Sequence, residues 1–212
     1  MNLPILAVTA ITNFVLACEA YFICGLLFAR PKKTFSAAWY WQLALFALAC
    51  SALLGGIDHG FLEVYCQPAV RKLFAHVNWA LIGFLTFLTF RTTSAQFFLP
   101  AWQRFTNIAA TIQLLAYLSL LLFVDDYLLV ILNYAPVLLL LLGCNVFCSR
   151  NSGSWAMTTG IVLTFIASGI QASSFAPIGS LDNSSFYHFG IMVALIFFYK
   201  GGLNLKGFTP TA

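Results

Sequence analysis

The sequence predicts an all-α integral membrane protein, built as a bundle of seven transmembrane helices with the N-terminus outside and the C-terminus in the cytoplasm. Of the 212 residues, 61% are hydrophobic and only 8% are charged, whereas a soluble globular domain carries about 25% charged residues. The apolar residues also form continuous runs, close to the length of about 20 residues that a spanning helix needs. This composition excludes a soluble domain, and it excludes disorder and nucleic-acid binding because both need many charges.

The first three spans are predicted from apolar runs that end at charged or helix-breaking residues. A basic turn at 30–33 follows the first run, Cys66-Gln67-Pro68 breaks the chain after the second, and Arg91 follows the third. The runs are continuous rather than alternating, which favours helices over the strands of a barrel. The predicted spans are about 4–28, 37–61 and 73–90.

The last four spans are separated by similar signals. Pro100 precedes the fourth, Asp125-Asp126 separates the fourth from the fifth, and polar turns at 151–154 and 177–185 precede the last two. The predicted spans are about 105–124, 127–147, 155–175 and 186–202. Neither an internal repeat nor a linker is evident, so residues 1–212 are expected to form a single domain.

The distribution of basic residues predicts the orientation, because cytoplasmic loops are enriched in Lys and Arg. Eight of the ten Lys and Arg residues fall in the odd-numbered loops and the C-terminal tail, and only Arg71 and Lys72 fall on the other side. The N-terminus is therefore expected outside. The first run is expected to be retained, because residues 1–10 lack the positive charge of a signal peptide. The expected location is the bacterial inner (cytoplasmic) membrane.

Polar residues inside a membrane are costly, so they are the candidates for function. With the predicted helix directions, His59, His76 and His188 all fall in one outer layer, supplied by three different helices. Asp58 lies in the same layer, and Ser51 lies two helical turns below it on one face of the second helix. Glu19 lies deeper, near the middle of the first span. It is expected either as a neutral acid bonded to a neighbouring helix or as a proton or ion relay.

Three histidines are a suitable ligand set for catalytic zinc, which keeps a fourth position for water. His59, His76 and His188 are the predicted ligands, and Asp58 is predicted to accept a proton or to orient a ligand. Adjacent helical residues point about 100° apart, so Asp58 and His59 need an irregular helix end to share a metal. Gly55-Gly56 either provides that freedom or allows close helix packing. In the alternative interpretation, the histidines lie among lipid headgroups and bind water.

The pattern resembles the CREST superfamily, which includes alkaline ceramidases and adiponectin-receptor-like proteins. The resemblance rests on the seven spans, residues 54–61 (LGGIDHGF), Phe186-Tyr187-His188 and Tyr199-Lys200-Gly201. It implies that His59 and His188 are zinc ligands and that Ser51 assists them. Met192 stands where that family has a second last-helix histidine. His76 is suggested as the replacement ligand and Asp58 as the replacement for a family carboxylate.

Two functional hypotheses follow. The first is a zinc-dependent hydrolase of a lipid amide or ester, with Asp58 and Ser51 as catalytic residues and His59, His76 and His188 as metal ligands. The second is a non-catalytic lipid-binding or receptor-like protein, or a subunit of a membrane complex. A haem held by His59 and His188 is a further alternative. Membrane lipids are the expected partners in each case.

Overall fold

The computed structural model describes residues 3–148, 152–173 and 181–207, and this part of the chain is helical with no β-strand. The all-α prediction is therefore confirmed. The helices lie close to the seven predicted runs. Several are longer than the predicted span, because polar residues at the ends of the apolar run are also helical. They are α1 (Leu3–Phe28), α2 (Ala37–Ile57, continuing to Tyr65), α3 (Pro68–Phe97), α4 (Pro100–Leu121), α5 (Tyr127–Phe147), α6 (Ser152–Ala172) and α7 (Asn183–Gly202).

Five helices in the described residues are long and apolar enough to cross a membrane: Ile5–Phe28, Ala37–Tyr65, Pro68–Phe97, Tyr127–Phe147 and Gly153–Ala172. The other two long helices, α4 and α7, carry more polar residues. Gln103, Arg104 and Asn107 lie in the first two turns of α4, and α7 begins with Asn183-Ser184. These polar ends lower the average hydropathy of both helices.

Six helices form a ring in the described part of the chain. The sequential contacts run from α1 to α2, α3, α5, α6, α7 and back to α1. Helix α4 is outside this ring, where it packs against α3 and makes a smaller contact with α5. The ring therefore encloses an interior to which α4 does not contribute.

Small residues allow the helices of the ring to approach closely. Ala20 in α1, Ala44 and Ala49 in α2 and Ala194 in α7 are all fully buried. Membrane helices lack a hydrophobic driving force for association, so close backbone packing of this kind is a main source of their stability. In α3 the same purpose is served by threonines, whose hydroxyls donate to carbonyls one turn earlier. The threonines are Thr86, Thr89, Thr92 and Thr93.

Helix α2 changes geometry near its end. Residues Asp58–Leu62 form a π-helical turn, followed by a last α-helical turn at Glu63–Tyr65. Just before this turn, Gly55 and Gly56 lie against α1, where a Cβ on Gly56 would come within 2.7 Å of the Phe14 ring. The glycine pair thus permits close helix packing, and the irregular geometry predicted for Asp58 and His59 is a π turn that follows it.

The residues after α7 bind the turn between α1 and α2. The amide of Lys33 donates to the carbonyl of Gly207 at 2.9 Å, and the amide of Ala38 donates to Lys206 at 3.1 Å. Gly207 has a φ of 112°, and a Cβ there would lie 2.1 Å from the hydroxyl oxygen of Ser36. Since Ser36 caps α2 by accepting from the amide of Trp39, position 207 must be glycine for this turn to close.

Candidate functional site

Two adjoining cavities lie inside the six-helix ring. The first, which we call the polar chamber, has a volume of about 220 Å³, and the second, the apolar cavity, has a volume of about 130 Å³. The polar chamber is lined by Asn13, Ser51, Asp58, His59, Asn78, Gln171 and His188, among others. The apolar cavity is lined by residues such as Trp41, Leu85, Leu138, Ile191 and Phe198. The two cavities adjoin each other, because they share five lining residues: Leu48, Ser51, Ile82, Tyr127 and Tyr187.

His188 is buried where α7 packs against α1. Its Nδ1 lies 2.8 Å from the hydroxyl oxygen of Thr12, and that hydroxyl also lies 3.0 Å from the carbonyl oxygen of Thr9. A threonine hydroxyl has one hydrogen, and the carbonyl can only accept one. The arrangement that satisfies both contacts has Thr12 donating to Thr9 and Nδ1–H of His188 donating to Thr12. The lone pair of the neutral ring is then on Nε2.

Asp182 holds the beginning of α7 against α1. Its Oδ1 accepts from the amide and the hydroxyl of Ser185, at 2.8 and 2.7 Å, and its Oδ2 accepts from Thr9 at 3.0 Å. Burial alone would raise the pKa of Asp182, but the hydrogen bonds from Ser185 and Thr9 outweigh it and hold that pKa below its usual value. Asp182 is therefore an ionised N-cap that also fixes the helix carrying His188.

The π turn of α2 brings His59 and two carboxylates together. His59 Nδ1 lies 3.0 Å from Glu63 Oε2. Arg71 bridges both acids, because its Nη2 donates to Glu63 at 2.6 Å and its Nε donates to Asp58 at 3.2 Å. A π turn has hydrogen bonds between residues i and i+5, and the amide of Glu63 donates to the carbonyl of Asp58, which brings these two residues to the same side. The structure thus places an ion-paired cluster at the edge of the polar chamber.

The two chamber histidines have the same arrangement of ring nitrogens. Since a carboxylate only accepts, Nδ1 of His59 donates to Glu63, and the lone pair of the neutral ring is on Nε2. His188 is held in the same way by Thr12. Histidines that bind metals are usually oriented by such a second hydrogen bond. Both rings therefore combine a fixed Nδ1–H with an Nε2 that is able to accept a proton or bind a metal.

His76 has a different environment. Its Nδ1 donates to the carbonyl of Lys72 at 2.8 Å, its ring stacks on Trp79 with 5.0 Å between centroids, and its Nε2 lies 3.7 Å from Asp125. Lys72 also pairs with Asp125 at 2.7 Å, and this hydrogen bond lowers the pKa of Asp125. The structure does not place His76 among the residues that line the polar chamber.

Ser51 lies in the polar chamber but is not bonded to a histidine. Its hydroxyl donates to Oδ1 of Asn78 on α3 at 2.6 Å. Ser51 also borders the apolar cavity, so it marks the boundary between the two volumes. The contact leaves the lone pairs of the serine oxygen available to a ligand.

The residues that fit a metal best are on α2. Among the described residues, ligand atoms of Asp58, His59 and Glu63 lie within 4.8 Å of one another, and this set combines nitrogen and oxygen donors that suit zinc. Arg71 already contacts both carboxylates. The pair of acids with Arg71 retains one net negative charge, which would attract a cation. His188 is the other chamber residue with a free Nε2.

Several residues of this site were not predicted from the sequence. Thr12 and Asp182 lie more than 170 positions from their partners His188 and Thr9, and no local pattern indicates such contacts. Glu63 could have been found, because it stands four residues after His59 and i, i+4 side chains meet on a helix. Arg71 carried a signal too, as one of only two basic residues on the predicted outer side.

The chain belongs to the DUF6962 family, described as a family of unknown function, and the match covers residues 8–206. No curated protein and no solved structure matches the chain. The match covers all or most of every helix that lines the polar chamber. Membership in this family assigns no activity to the chain.

Proposed function

We propose that this chain is a seven-span membrane protein, with its N-terminus outside, that binds an amphipathic lipid inside the ring. The observation that carries the proposal is that the polar chamber and the apolar cavity adjoin and share five lining residues. The hydrogen-bonding groups of the chamber suit a lipid headgroup, and the mainly apolar lining of the second cavity suits a hydrocarbon chain. Ligand sites are commonly apolar cavities with a few convergent polar groups.

The lengths and contacts of α4 and α7 support seven spans. They contain 22 and 20 residues, which at 1.5 Å per residue is about 30 Å, the thickness of the bilayer hydrocarbon. Helix α7 packs within the ring between α6 and α1. The basic residues favour an outer N-terminus.

A filling substitution tests lipid binding. Ser168→Phe places a ring in the apolar cavity, which Ser168 lines, while Ile166→Phe changes an outward side chain on the same helix, 55% exposed. We expect protein purified in mild detergent to retain a lipid that solvent extraction and mass spectrometry detect. Ser168→Phe should lose it, and Ile166→Phe should keep it. Equal retention in both variants, or no lipid in the unmodified protein, would overturn the proposal.

A second candidate function is zinc-dependent hydrolysis of a lipid amide or ester, in line with a relationship to the CREST superfamily. The observation that favours it is the Nε2 atoms left free on His59 and His188. With Asp58 and Glu63 nearby, these residues would hold the ion. Bound zinc lowers the pKa of its water to near 7 and so supplies a nucleophile. Ser51, whose hydroxyl hydrogen goes to Asn78, would accept a hydrogen bond from an N–H or O–H of the substrate, and Asp58 would accept a proton.

Elemental analysis of the purified protein tests the metal. We expect about one zinc per chain, a loss of about tenfold or more in zinc affinity in His59→Ala or His188→Ala, and full occupancy in His76→Ala. Loss of zinc in His76→Ala as well would support the three-histidine set instead. Absence of zinc from the unmodified protein would remove the hydrolase and leave the lipid-binding function, which the filling variants test separately.

A further inference from the structure

A third cavity lies outside the ring, where the end of α3 meets the beginning of α4. It is an open groove of about 610 Å³, and we call it the arginine groove. Its polar lining consists of Arg91 from α3 and Gln103, Arg104, Asn107 and Thr111 from α4. Arg91 lies six residues before the end of α3, about 9 Å along the axis, and Arg104 lies about 6 Å from the beginning of α4. Both arginines therefore lie near the helix ends that meet at this groove.

The two arginines have no acidic partner in the described part of the chain. The protein has six acidic residues, and five of them have other roles. Two pair with Arg71, one pairs with Lys72, and two cap helices. These are Asp58, Glu63, Asp125, Asp126 and Asp182. The sixth, Glu19, belongs to α1, and the groove is lined by α3 and α4 alone. Two positive charges thus face one groove without an acidic partner, and this favours the binding of an anion.

Arg91 is held in position but retains an unused donor. Its guanidinium donates through Nη2 to the hydroxyl of Tyr40, and it lies over the rings of Tyr40 and Phe87, at 4.6 and 5.7 Å from their centroids. Its Nε is buried without a hydrogen-bond partner. A buried donor without a partner is costly and calls for an explanation. An anion oxygen in the groove would supply the missing acceptor if the guanidinium turned its Nε toward the groove.

The first turn of α4 adds to the positive potential of the groove. Leu99, the N-cap residue, provides no side-chain cap, and Pro100 occupies the first turn. The amide groups and the dipole of an uncapped helix beginning favour a negative charge. The amide of Asn107 provides a further donor beside the two arginines.

The surroundings of the groove indicate a lipid rather than a free anion. Leu99, Trp102 and Phe105 are 70, 61 and 64% exposed beside it, and Ile108 and Ile112 complete its lining. Exposed Trp and Phe residues next to basic residues are typical of a membrane interface. Basic pockets between spanning helices on the cytoplasmic side are suited to anionic lipid headgroups.

We propose that the arginine groove binds the phosphate of an anionic glycerophospholipid from the cytoplasmic leaflet. Arg91 and Arg104 form charge-assisted hydrogen bonds to the phosphate oxygens, and the acyl chains lie along the exposed apolar side chains of α4. The site is separate from the polar chamber, and it does not depend on the ligand of the ring.

Lipid binding to the full-length protein is the test. The protein is placed in phosphatidylcholine nanodiscs with and without phosphatidylglycerol, and bound lipid is measured by native mass spectrometry after release into detergent. The variant is Arg91→Gln with Arg104→Gln. The control is Arg30→Gln with Lys33→Gln, which removes two exposed basic side chains from the same predicted side. Arg104→Gln alone is included, because Arg104 is exposed and the fold does not rest on it.

We expect selective retention of phosphatidylglycerol by the unmodified protein and by the control. The double variant should lose about tenfold or more of it, since each interfacial arginine contributes to binding an anionic lipid, and Arg104→Gln should show an intermediate loss. Equal retention by all variants would overturn the proposal. Inorganic phosphate that displaces the lipid at millimolar concentration would show a site for free phosphate and would also overturn it.

Discussion

Single hydrogen bonds determine which face of each chamber histidine is available. Thr12 accepts from Nδ1 of His188, and Glu63 accepts from Nδ1 of His59. In both rings the opposite nitrogen is left with its lone pair. Asp182 acts one step further away, because it fixes the beginning of the helix that carries His188. The chemistry of the chamber thus depends on residues that do not themselves line it.

The Asp182 cap predicts a specific dependence of stability on pH. The pKa of Asp182 is depressed in the folded protein, so its stabilisation is full above its unfolded pKa, near 4, and is lost as pH falls through the folded pKa. Asp182→Asn should therefore lower the free energy of unfolding by about 1 kcal/mol at neutral pH. Thermal unfolding of both proteins in detergent, from pH 7 to pH 3, measures this difference. The difference in stability between the two proteins should narrow below about pH 4. A difference that stays constant with pH would contradict the assignment of Asp182 as an ionised cap.

At the scale of the element, the π turn of α2 is what brings a histidine and two acids together. In a regular α-helix, Asp58 and Glu63 would point about 140° apart, since five steps of about 100° exceed one full turn by that angle. The π turn aligns them, and Arg71 then bridges both. Such turns are frequent at functional sites. The geometry makes Asp58, His59, Glu63 and Arg71 one unit.

Arg71→Gln tests this unit. The substitution leaves two half-buried carboxylates facing each other, so the free energy of unfolding should fall by about 1–2 kcal/mol, which is below the cost of breaking a fully buried pair because Arg71 is partly exposed. Adding Glu63→Gln removes the repulsion between the carboxylates of Asp58 and Glu63, and it should restore part of the lost free energy of unfolding. Thermal unfolding of the two single variants and the double variant completes the cycle. Strictly additive effects would show that the three residues do not act together.

The sequence predicts the helices well, because long apolar runs and the breaks between them are local signals. It also places Asp58, His59 and His188 in one outer layer, with Ser51 two helical turns below Asp58, and the structure finds all four around the same chamber. Depth alone does not give the rotation of a helix, which is why His76 was grouped with them although it lines no part of that chamber. The π turn depends on packing of α2 against α1 and cannot be seen in a hydrophobic pattern.

At the scale of the whole molecule, the ring of six helices separates two kinds of site. The polar chamber and the apolar cavity lie within the ring, whereas α4 is outside it and forms the arginine groove with α3. A ligand of the ring and a lipid at the groove would therefore bind independently. The arrangement requires α4 to cross the bilayer beside α3, which the apolar character of α4 alone does not establish.

Two native cysteines test the crossing of α4. Cys66 follows α2 and Cys148 follows α5, and both are exposed. If α3, α4 and α5 all cross the membrane, the two cysteines lie on opposite sides. If α4 does not cross, the two cysteines lie on the same side. In variants that keep one of the two cysteines, a membrane-impermeant maleimide should label Cys66 in intact cells and Cys148 only after the membrane is opened. Labelling of both in intact cells would show that α4 does not cross.

The bonds between the residues after α7 and the turn after α1 have a consequence for biogenesis. Lys33 and Ala38 obtain their backbone acceptors from Gly207 and Lys206, and Lys206 donates its own amide to Gln96. A ribosome translates these acceptors roughly 170 residues after the turn that needs them. The hairpin of α1 and α2 therefore keeps an incomplete turn until residues 206 and 207 have been synthesised, and insertion of α7 is the event that completes it.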